Sequence, residues 1–298
     1  MVTGGGTGMG RELVLQLAAE GCSVATCDVQ VDVVQETVER AQKEAPDGTR
    51  VTAHRCDVSK EAEVLRFRDE YLEQHETDHV NLVFNNAGIG GGGSFLTSTR
   101  EEWEHTFGVD WGGVYFCCRA FAPLLVASDE GYLVNTSSVN GFWAALGPGI
   151  AHTAYSAAKF AVKGFTESLI EDFRLNAPHV KVAVVMPGHI GTDIVANTRK
   201  LQARGADLGQ LRDNLERRGM LPPDVSDEDL QKMMAMMAES FRDNAPLSAA
   251  QAATIILDGV RADRWRILVG DDAARLDAAV RANPEGAYGP EWPTLGLI

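Results

Sequence analysis

A tyrosine and a lysine four residues apart, Tyr155 and Lys159 in the stretch TAYSAAKF, carry the clearest chemical content in this chain. On a helix an i, i+4 pair shares one face, so the ammonium can stand beside the phenol. A phenol with a pKa near 10 is a poor base at neutral pH, and a neighbouring ammonium favours the phenolate. Ser138, seventeen residues upstream (155 − 138), closes an apolar stretch and can hydrogen-bond a reacting oxygen. The Y-x-x-x-K spacing alone is common on helices, so its meaning depends on what else the chain brings to it.

The opening MVTGGGTGMGREL supplies a second chemistry. Gly4, Gly8 and Gly10 stand as T-G-x-x-x-G-x-G directly before a helical pattern, which points that helix's N-terminal amides and positive dipole end at an anion. Glycine-rich turns also open helices for structural reasons alone, and Asp28 weighs against that reading. It lies 24 residues after Gly4 (28 − 4), at the end of the second apolar strand, where a carboxylate can accept hydrogen bonds from both adenosine ribose hydroxyls. The same carboxylate repels a 2′-phosphate, and Thr7, Val29 and Gln30 supply no cation to reverse that. NAD is therefore expected over NADP; a strand-end turn or helix cap is the plainer role for Asp28. A cationic nicotinamide beside Tyr155 would reinforce the phenolate; bringing a phenol from a pKa of about 10 to about 7 takes about 4 kcal/mol of differential interaction.

These groups need a scaffold, and the hydrophobic periodicity describes one. Leu13, Val14 and Leu17 form one helical stripe ending at Gly21, and CSVATCD reads as a short buried strand. The alternation continues with helix 32–45, strand 50–56, helix 60–75, strand 81–85, a long helix from about 99 to 126, strand 132–137, helix 153–176 and strand 180–186. Strands alternating with helices of this length imply right-handed crossovers and an α/β, doubly wound parallel sheet covered on both faces, in a single domain of residues 1–298. Residues 194–246 break the pattern as a charged, partly helical, substrate-covering insertion, after which helix 248–261 and strand 266–269 restore it. Only Met1 and Val2 precede Thr3, so the first strand reads as truncated, with the expectation that the native chain begins upstream. The tail NPEGAYGPEWPTLGLI is irregular and is expected to pack on a neighbouring surface.

Composition excludes several partners. The 298 residues carry a net charge of −15, which opposes non-specific binding to nucleic acid or to anionic lipid. No charged segment followed by an apolar core precedes the glycines, and no run approaches the ~18 apolar residues of a membrane span. The five cysteines form no C-x-x-C pair and suit reduced core thiols in a cytoplasmic protein. No metal site is expected: His75 and His79 lie four apart in a polar stretch without a third ligand and read as surface residues. The N-x-S/T pattern at Asn135 falls in an expected buried strand.

The full set of residues resembles the short-chain dehydrogenase/reductase family over Thr3 to about Val269. T-G-x-x-x-G-x-G at Thr3 to Gly10, Asp57 after the third strand, NNAG at Asn85 to Gly88, Ser138, Tyr155 with Lys159, and PGHIGT at Pro187 to Thr192 occur in the family's order. The resemblance implies nicotinamide-dependent hydride transfer with Tyr155 as acid and base, Lys159 on the nicotinamide ribose and Ser138 orienting the substrate. It implies cofactor contacts along Gly4, Gly8, Met9 and Gly10, adenine contacts from Asp57 and Val58, and a cleft lined by Asn85, Ala87 and Gly88. Pro187 and Gly188 would lead to Ile190 and Thr192 at the carboxamide.

Two departures stand out. Where the family places an asparagine in its long fourth helix, VDWGG offers Asp110, whose charge favours Lys159 as ammonium and partly offsets that lysine's acidifying effect on Tyr155. The loop GFWAALGPGIAHTA brings Phe142, Trp143 and Leu146, which suit either a pocket wall or a core. With the cluster Met233, Met234, Met236 and Met237 they point to a hydrophobic alcohol or ketone, although helix packing explains the methionines equally well. His189 reads as structural. A homodimer or homotetramer follows by family analogy. The alternative to an enzyme is a dinucleotide-binding sensor or scaffold, which would tolerate a damaged Ser, Tyr or Lys; all three are present.

Overall fold

The computed structural model describes residues 1–146, 151–202 and 225–289, together with Gly209, Arg212, Glu216, Leu221 and Trp292. Seven parallel strands form one sheet: β1 (Val2–Thr3), β2 (Val24–Asp28), β3 (Val51–Arg55), β4 (Leu82–Asn85), β5 (Gly131–Thr136), β6 (Val180–Pro187) and β9 (Arg266–Val269), in the order β3-β2-β1-β4-β5-β6-β9. A second, two-stranded parallel sheet pairs β7 (Ile190–Gly191) with β8 (Leu247–Ser248). The order reverses at β1, which places the C-terminal ends of β1 and β4 at the crevice where doubly wound folds bind ligands. β1 is two residues long and pairs with both neighbours, Val2 with Thr26 and with Phe84.

The buried strands follow from composition. Every residue of β5 is buried, and its side chains alternate between two cores: Leu133 to one face, Tyr132 and Val134 to the other. One face is covered by α1 (Gly8–Ala19), α2 (Val31–Glu44) and α9 (Ala249–Arg261), through Leu13, Val14, Val38 and Ile256. The opposite face is covered by α3 (Glu61–His75), α5 (Gly113–Val126) and α6 (Thr153–Asn176), through Phe67, Phe121 and Val162. Each such fully buried side chain is worth about 1.5–3 kcal/mol of apolar burial. Side-chain caps fix two helix starts: Thr99 and Glu102 form a capping box at α4 (Arg100–Phe107), and Ser248 with Gln251 does the same at α9.

The long helix expected from 99 to 126 is interrupted. Between α4 and α5 the residues Gly108–Gly112 form a π turn, which shifts the register by one residue and turns Asp110 fully inward. The composite helix Arg100–Val126 is also long and apolar enough to cross a membrane by length and composition, contrary to the sequence reading. Half of its most apolar window is buried within the fold, as befits a core helix. His75 corrects the surface reading: it is part-buried, 2.9 Å from Thr52 Oγ1 and packed on Tyr71, and burial lowers its pKa from 6.5 to about 4. Asn135 is fully buried in β5.

The insertion contributes α7 (Ile194–Gln202) and α8 (Asp227–Asp243), whose Ser226 cap accepts from the Asp229 amide. After β9 comes α10 (Asp271–Ala282), followed by a 3-10 turn at Gly286–Tyr288; neither is foreseen by periodicity. The tail beyond this turn lies outside the described residues, Gly289 and Trp292 excepted.

Candidate active site

The glycine loop joins β1 to α1 in contact with the segment after β4. Gly4 has φ +69°, and a Cβ there would stand 2.8 Å from Ala87 Cα; a Cβ on Gly10 would stand 2.1 Å from the Gly4 carbonyl. No other residue fits this crossing of backbones. Thr3 holds the far side: its Oγ1 accepts from the Asn86 and Ala87 amides at 3.0 Å, and Asn86 Nδ2 donates to the Thr3 carbonyl. In front lies a cleft of about 270 Å³ lined by Gly4, Asp28, Asp57, Val58, Ala87 and Gly88, as the sequence implied. Thr7 of the glycine motif lines it too, as do His105 and Asn197, to which no motif in the sequence points.

Asp28 sits at the end of β2. Its Oδ2 accepts from the Gly6 amide and its Oδ1 from the Gln30 amide, each at 3.1 Å. Burial pushes its pKa up against these hydrogen bonds and the nearby Arg11. The carboxylate therefore does serve as a strand-end cap, and each oxygen, with one amide donor, keeps capacity for a second beside the cleft that Asp28 lines. At Asp57, burial pushes the pKa up, but hydrogen bonds from Ser59 (Oγ 2.6 Å) and Lys60 (Nζ 3.0 Å) prevail and hold it below its ordinary value.

Behind Gly88 and Ile89, which line the cleft, four groups converge. Ser138 Oγ accepts from the Asn140 amide at 3.1 Å, and the serine stands close enough to Tyr155 to help lower the tyrosine's pKa. Lys159 Nζ lies 5.3 Å from the Tyr155 ring centre, donates to the Thr136 carbonyl at 3.2 Å and stands 3.3 Å from Asp110 Oδ1. Both members of this ion pair are buried, at 3% and 0% side-chain exposure. Asp110 Oδ1 also accepts from the Ile89 amide, while Oδ2 has no partner among the described residues. A Cβ on Gly88 would stand 2.7 Å from that carboxylate, so Gly88 separates the cleft from the pair.

The electrostatics differ from expectation at Tyr155. Burial pushes its pKa above the ordinary value; Lys159 and Ser138 pull it down and Asp110 pushes it up, with burial prevailing. Burial lowers Lys159, but Asp110 and Tyr155 outweigh it and hold the lysine as ammonium. Burial raises Asp110 in spite of Lys159. The His152 ring is 4.6 Å from that of Tyr155, and burial lowers its pKa to about 4, so it is neutral at pH 7.

Two expectations need correction. Asn85 does not face the cleft: its Nδ2 donates to Asn135 Oδ1 at 2.8 Å and to Cys118 Sγ, inside the sheet's core. The Met9 side chain packs on the core beneath α1. Of the two roles left open for the aromatic pair after Ser138, Trp143 takes the core, 2% exposed, with Phe142 packed against the same cluster; Gly147 to Ile150 of that loop lie outside the described residues.

The PGHIGT segment approaches the glycine loop. A Cβ on Gly8 would stand 3.1 Å from Thr192. Pro187 ends β6, Gly188 donates to the Val269 carbonyl, and Ile190 is buried in β7. Asn197 Nδ2 of α7 donates to Thr7 Oγ1 at 3.0 Å, and Thr198 Oγ1 accepts from the Gly90 amide at 2.8 Å, so α7 closes over the loop. His189 is structural: Nε2 is 2.7 Å from the Phe241 carbonyl.

A seven-stranded doubly wound sheet, a glycine crossing before α1 and a Ser-Tyr-Lys cluster at the ends of β5 and α6 define a dinucleotide-fold protein of oxidoreductase type. The chain belongs to the short-chain dehydrogenase family, whose model matches residues 1–203. It is 33% identical over 281 residues to "Putative oxidoreductase SadH" of Mycobacterium tuberculosis, covering 94% of this chain and 89% of that one. It is 35% identical over 194 residues to epidermal retinol dehydrogenase 2 of Homo sapiens, covering 64% of this chain and 60% of that one. Its fold is similar to that of a short-chain dehydrogenase/reductase from Burkholderia phymatum solved in complex with NAD, at TM-score 0.75 and 27% identity, covering 96% of this chain and 92% of that one.

Proposed function

We propose that this protein is an NAD-dependent oxidoreductase that interconverts a secondary alcohol and a ketone, with Tyr155, Lys159, Ser138 and Asp110 as its chemical centre. The observation that carries the reading is the meeting of Ser138, Tyr155 and Lys159 directly behind Gly88, a residue that also lines the cleft in which Asp28 stands. The close backbone crossing at Gly4 and Gly10, with the cleft before it, fits a pyrophosphate near the start of α1. Gly4, Gly8 and Gly10 would hold that group, with Met9 contributing only backbone. Asp28 would hold the adenosine ribose, and Asp57 and Val58 the adenine. Ala87 and Gly88 would line the middle, and Pro187, Gly188, Ile190 and Thr192 the nicotinamide end. Bound there, the cofactor gives or takes the hydride.

The chain's own residues handle the proton. Because Ser138 Oγ already accepts from Asn140, its hydroxyl proton is free to be donated to the reacting oxygen. Tyr155 gives a proton to that oxygen in reduction and removes it in oxidation, and Lys159 stabilises the phenolate. Asp110 neutralises Lys159 and so keeps Tyr155 a weaker acid.

The methionines of α8 support a hydrophobic substrate: Met236 and Met237 are 67% and 49% exposed on a helix anchored by buried Leu230 and Ala238. The homology to a retinol dehydrogenase agrees with that choice. Exposed Tyr115 and Phe160 on α5 and α6 suit a homo-oligomer, and free buried thiols suit a cytoplasmic setting. A panel of steroid, terpenoid, aliphatic and acyl alcohols tests the reading. The expected result is NADH formation that Tyr155→Phe abolishes, with NAD outperforming NADP; better turnover with NADP overturns the role of Asp28.

A further inference from the structure

The C-terminal part of the chain, beyond the residues the family model matches, packs onto the turn that carries Ser138. Ser138 caps a 3-10 turn, Val139–Gly141. That turn, α10 and the Gly286–Tyr288 turn share a separate small core of Val139, Trp143, Ala273, Leu276 and Ala287. A chain of hydrogen bonds runs through it. Asn140 donates its amide to Ser138 Oγ at 3.1 Å, and its Nδ2 is divided between the Trp143 and Ala145 carbonyls at 3.0 and 2.9 Å. The Trp143 indole N–H donates to the Ala287 carbonyl at 2.8 Å, and Tyr288 Oη accepts from the Ala144 amide at 3.0 Å.

Ser138 is thus oriented by Asn140, Asn140 by the loop 143–145, and that loop by two contacts from residues 287 and 288. The Asn140 amide fixes which Oγ lone pair is used and leaves the hydroxyl proton for Tyr155 or a substrate oxygen. The 3-10 turn ends within three residues, so it has little rigidity of its own. Its conformation depends on what is packed behind it.

We propose that Trp143 and Tyr288 are positioning residues for Ser138, the C-terminal segment acting as a clamp that sets the serine's orientation. The proposal rests on the reading of Ser138 as a substrate-orienting group, and its test separates the two. A misplacement of under an ångström at a reacting group costs one to two orders of magnitude in rate, whereas cofactor binding at the distant glycine loop is untouched.

Trp143→Phe removes the indole donor and keeps an aromatic ring; Tyr288→Phe removes an acceptor from a residue 58% exposed and leaves folding intact. The expected losses in kcat are about tenfold and about threefold, with dinucleotide Kd unchanged. In a Ser138→Ala background both substitutions should cost less than about twofold, because the group they position is gone. Equal losses in both backgrounds, or none in the wild-type background, overturn the proposal. Hydrogen exchange over residues 138–145 supplies a readout independent of turnover: the Asn140 amide should exchange about tenfold faster in both variants. Unchanged exchange in both overturns the clamp. If the wild type turns over no alcohol or ketone, the proposed function falls, while the exchange result still decides the clamp.

Discussion

The cleft and the phenol cluster buried behind Gly88 each hold an aspartate beside a lysine, and they treat it in opposite ways. Asp57 pairs with Lys60, whose side chain is 60% exposed, and hydrogen bonds from Ser59 and Lys60 hold its carboxyl below the ordinary range. Asp110 pairs with Lys159 out of water, and burial raises its carboxyl although the lysine is 3.3 Å away. An exposed pair keeps its solvation and adds little to stability; a buried pair has lost its solvation and depends wholly on its partner. At Asp57, the proposed adenine contact, charge need only be present for recognition. The phenol cluster is built for tuning, where each charge sets the proton affinity of the next.

Removing one lysine from each pair separates the two situations most strongly. Lys159→Met leaves Asp110 buried and unpaired and should destabilise the fold by about 3–5 kcal/mol, read from denaturant midpoints. Lys60→Met should leave the midpoint unchanged; equal shifts would erase the distinction. Acid should also strike the phenol cluster. His152 beside Tyr155 has its folded pKa depressed from 6.5 to about 4 by burial, so the unfolded chain binds the extra proton first. Its contribution is present above pH 6.5 and lost as the pH falls from there through 4, of order 3 kcal/mol, and His152→Gln should flatten that limb.

Smaller effects sharpen the comparison. Asp28→Ala should narrow the preference for NAD over NADP by about tenfold, measured as the ratio of kcat/KM values, since one carboxylate contact and one repulsion vanish together. Asp110→Asn should fold, stay active and move the rising limb of alcohol oxidation to lower pH, because the charge that raises Tyr155 is gone. A limb that moves upward, or a folded but inactive variant, would contradict the tuning role.

The frame is legible in the sequence because buried strands and amphipathic helices declare themselves locally. Helix Thr153–Asn176 and strand Arg266–Val269 lie where periodicity puts them. The π turn at Gly108–Gly112 is not legible, since one extra residue in a turn leaves the hydrophobic pattern almost intact; the flanking glycines are its only trace. The cleft-lining role expected of Asn85 fails because a strand buried on both faces gives no sign of which face a polar residue takes, and here it bonds Asn135 across to β5. Asn197 reaches Thr7 across 190 positions, a contact that no local spacing encodes. Spacing alone makes Lys159 an acidifier of Tyr155; the depth of the tyrosine's burial, which reverses the sign, is a property of the packed protein alone.

The most direct test compares Tyr155→Phe with the wild type in two measurements on the same samples, NAD affinity by calorimetry and alcohol-dependent absorbance of reduced nicotinamide. The account predicts an unchanged Kd for NAD and a fall in turnover of about two to four orders of magnitude. Turnover that survives the loss of the phenolic hydroxyl would contradict it, as would a wild-type protein that releases no heat with either dinucleotide.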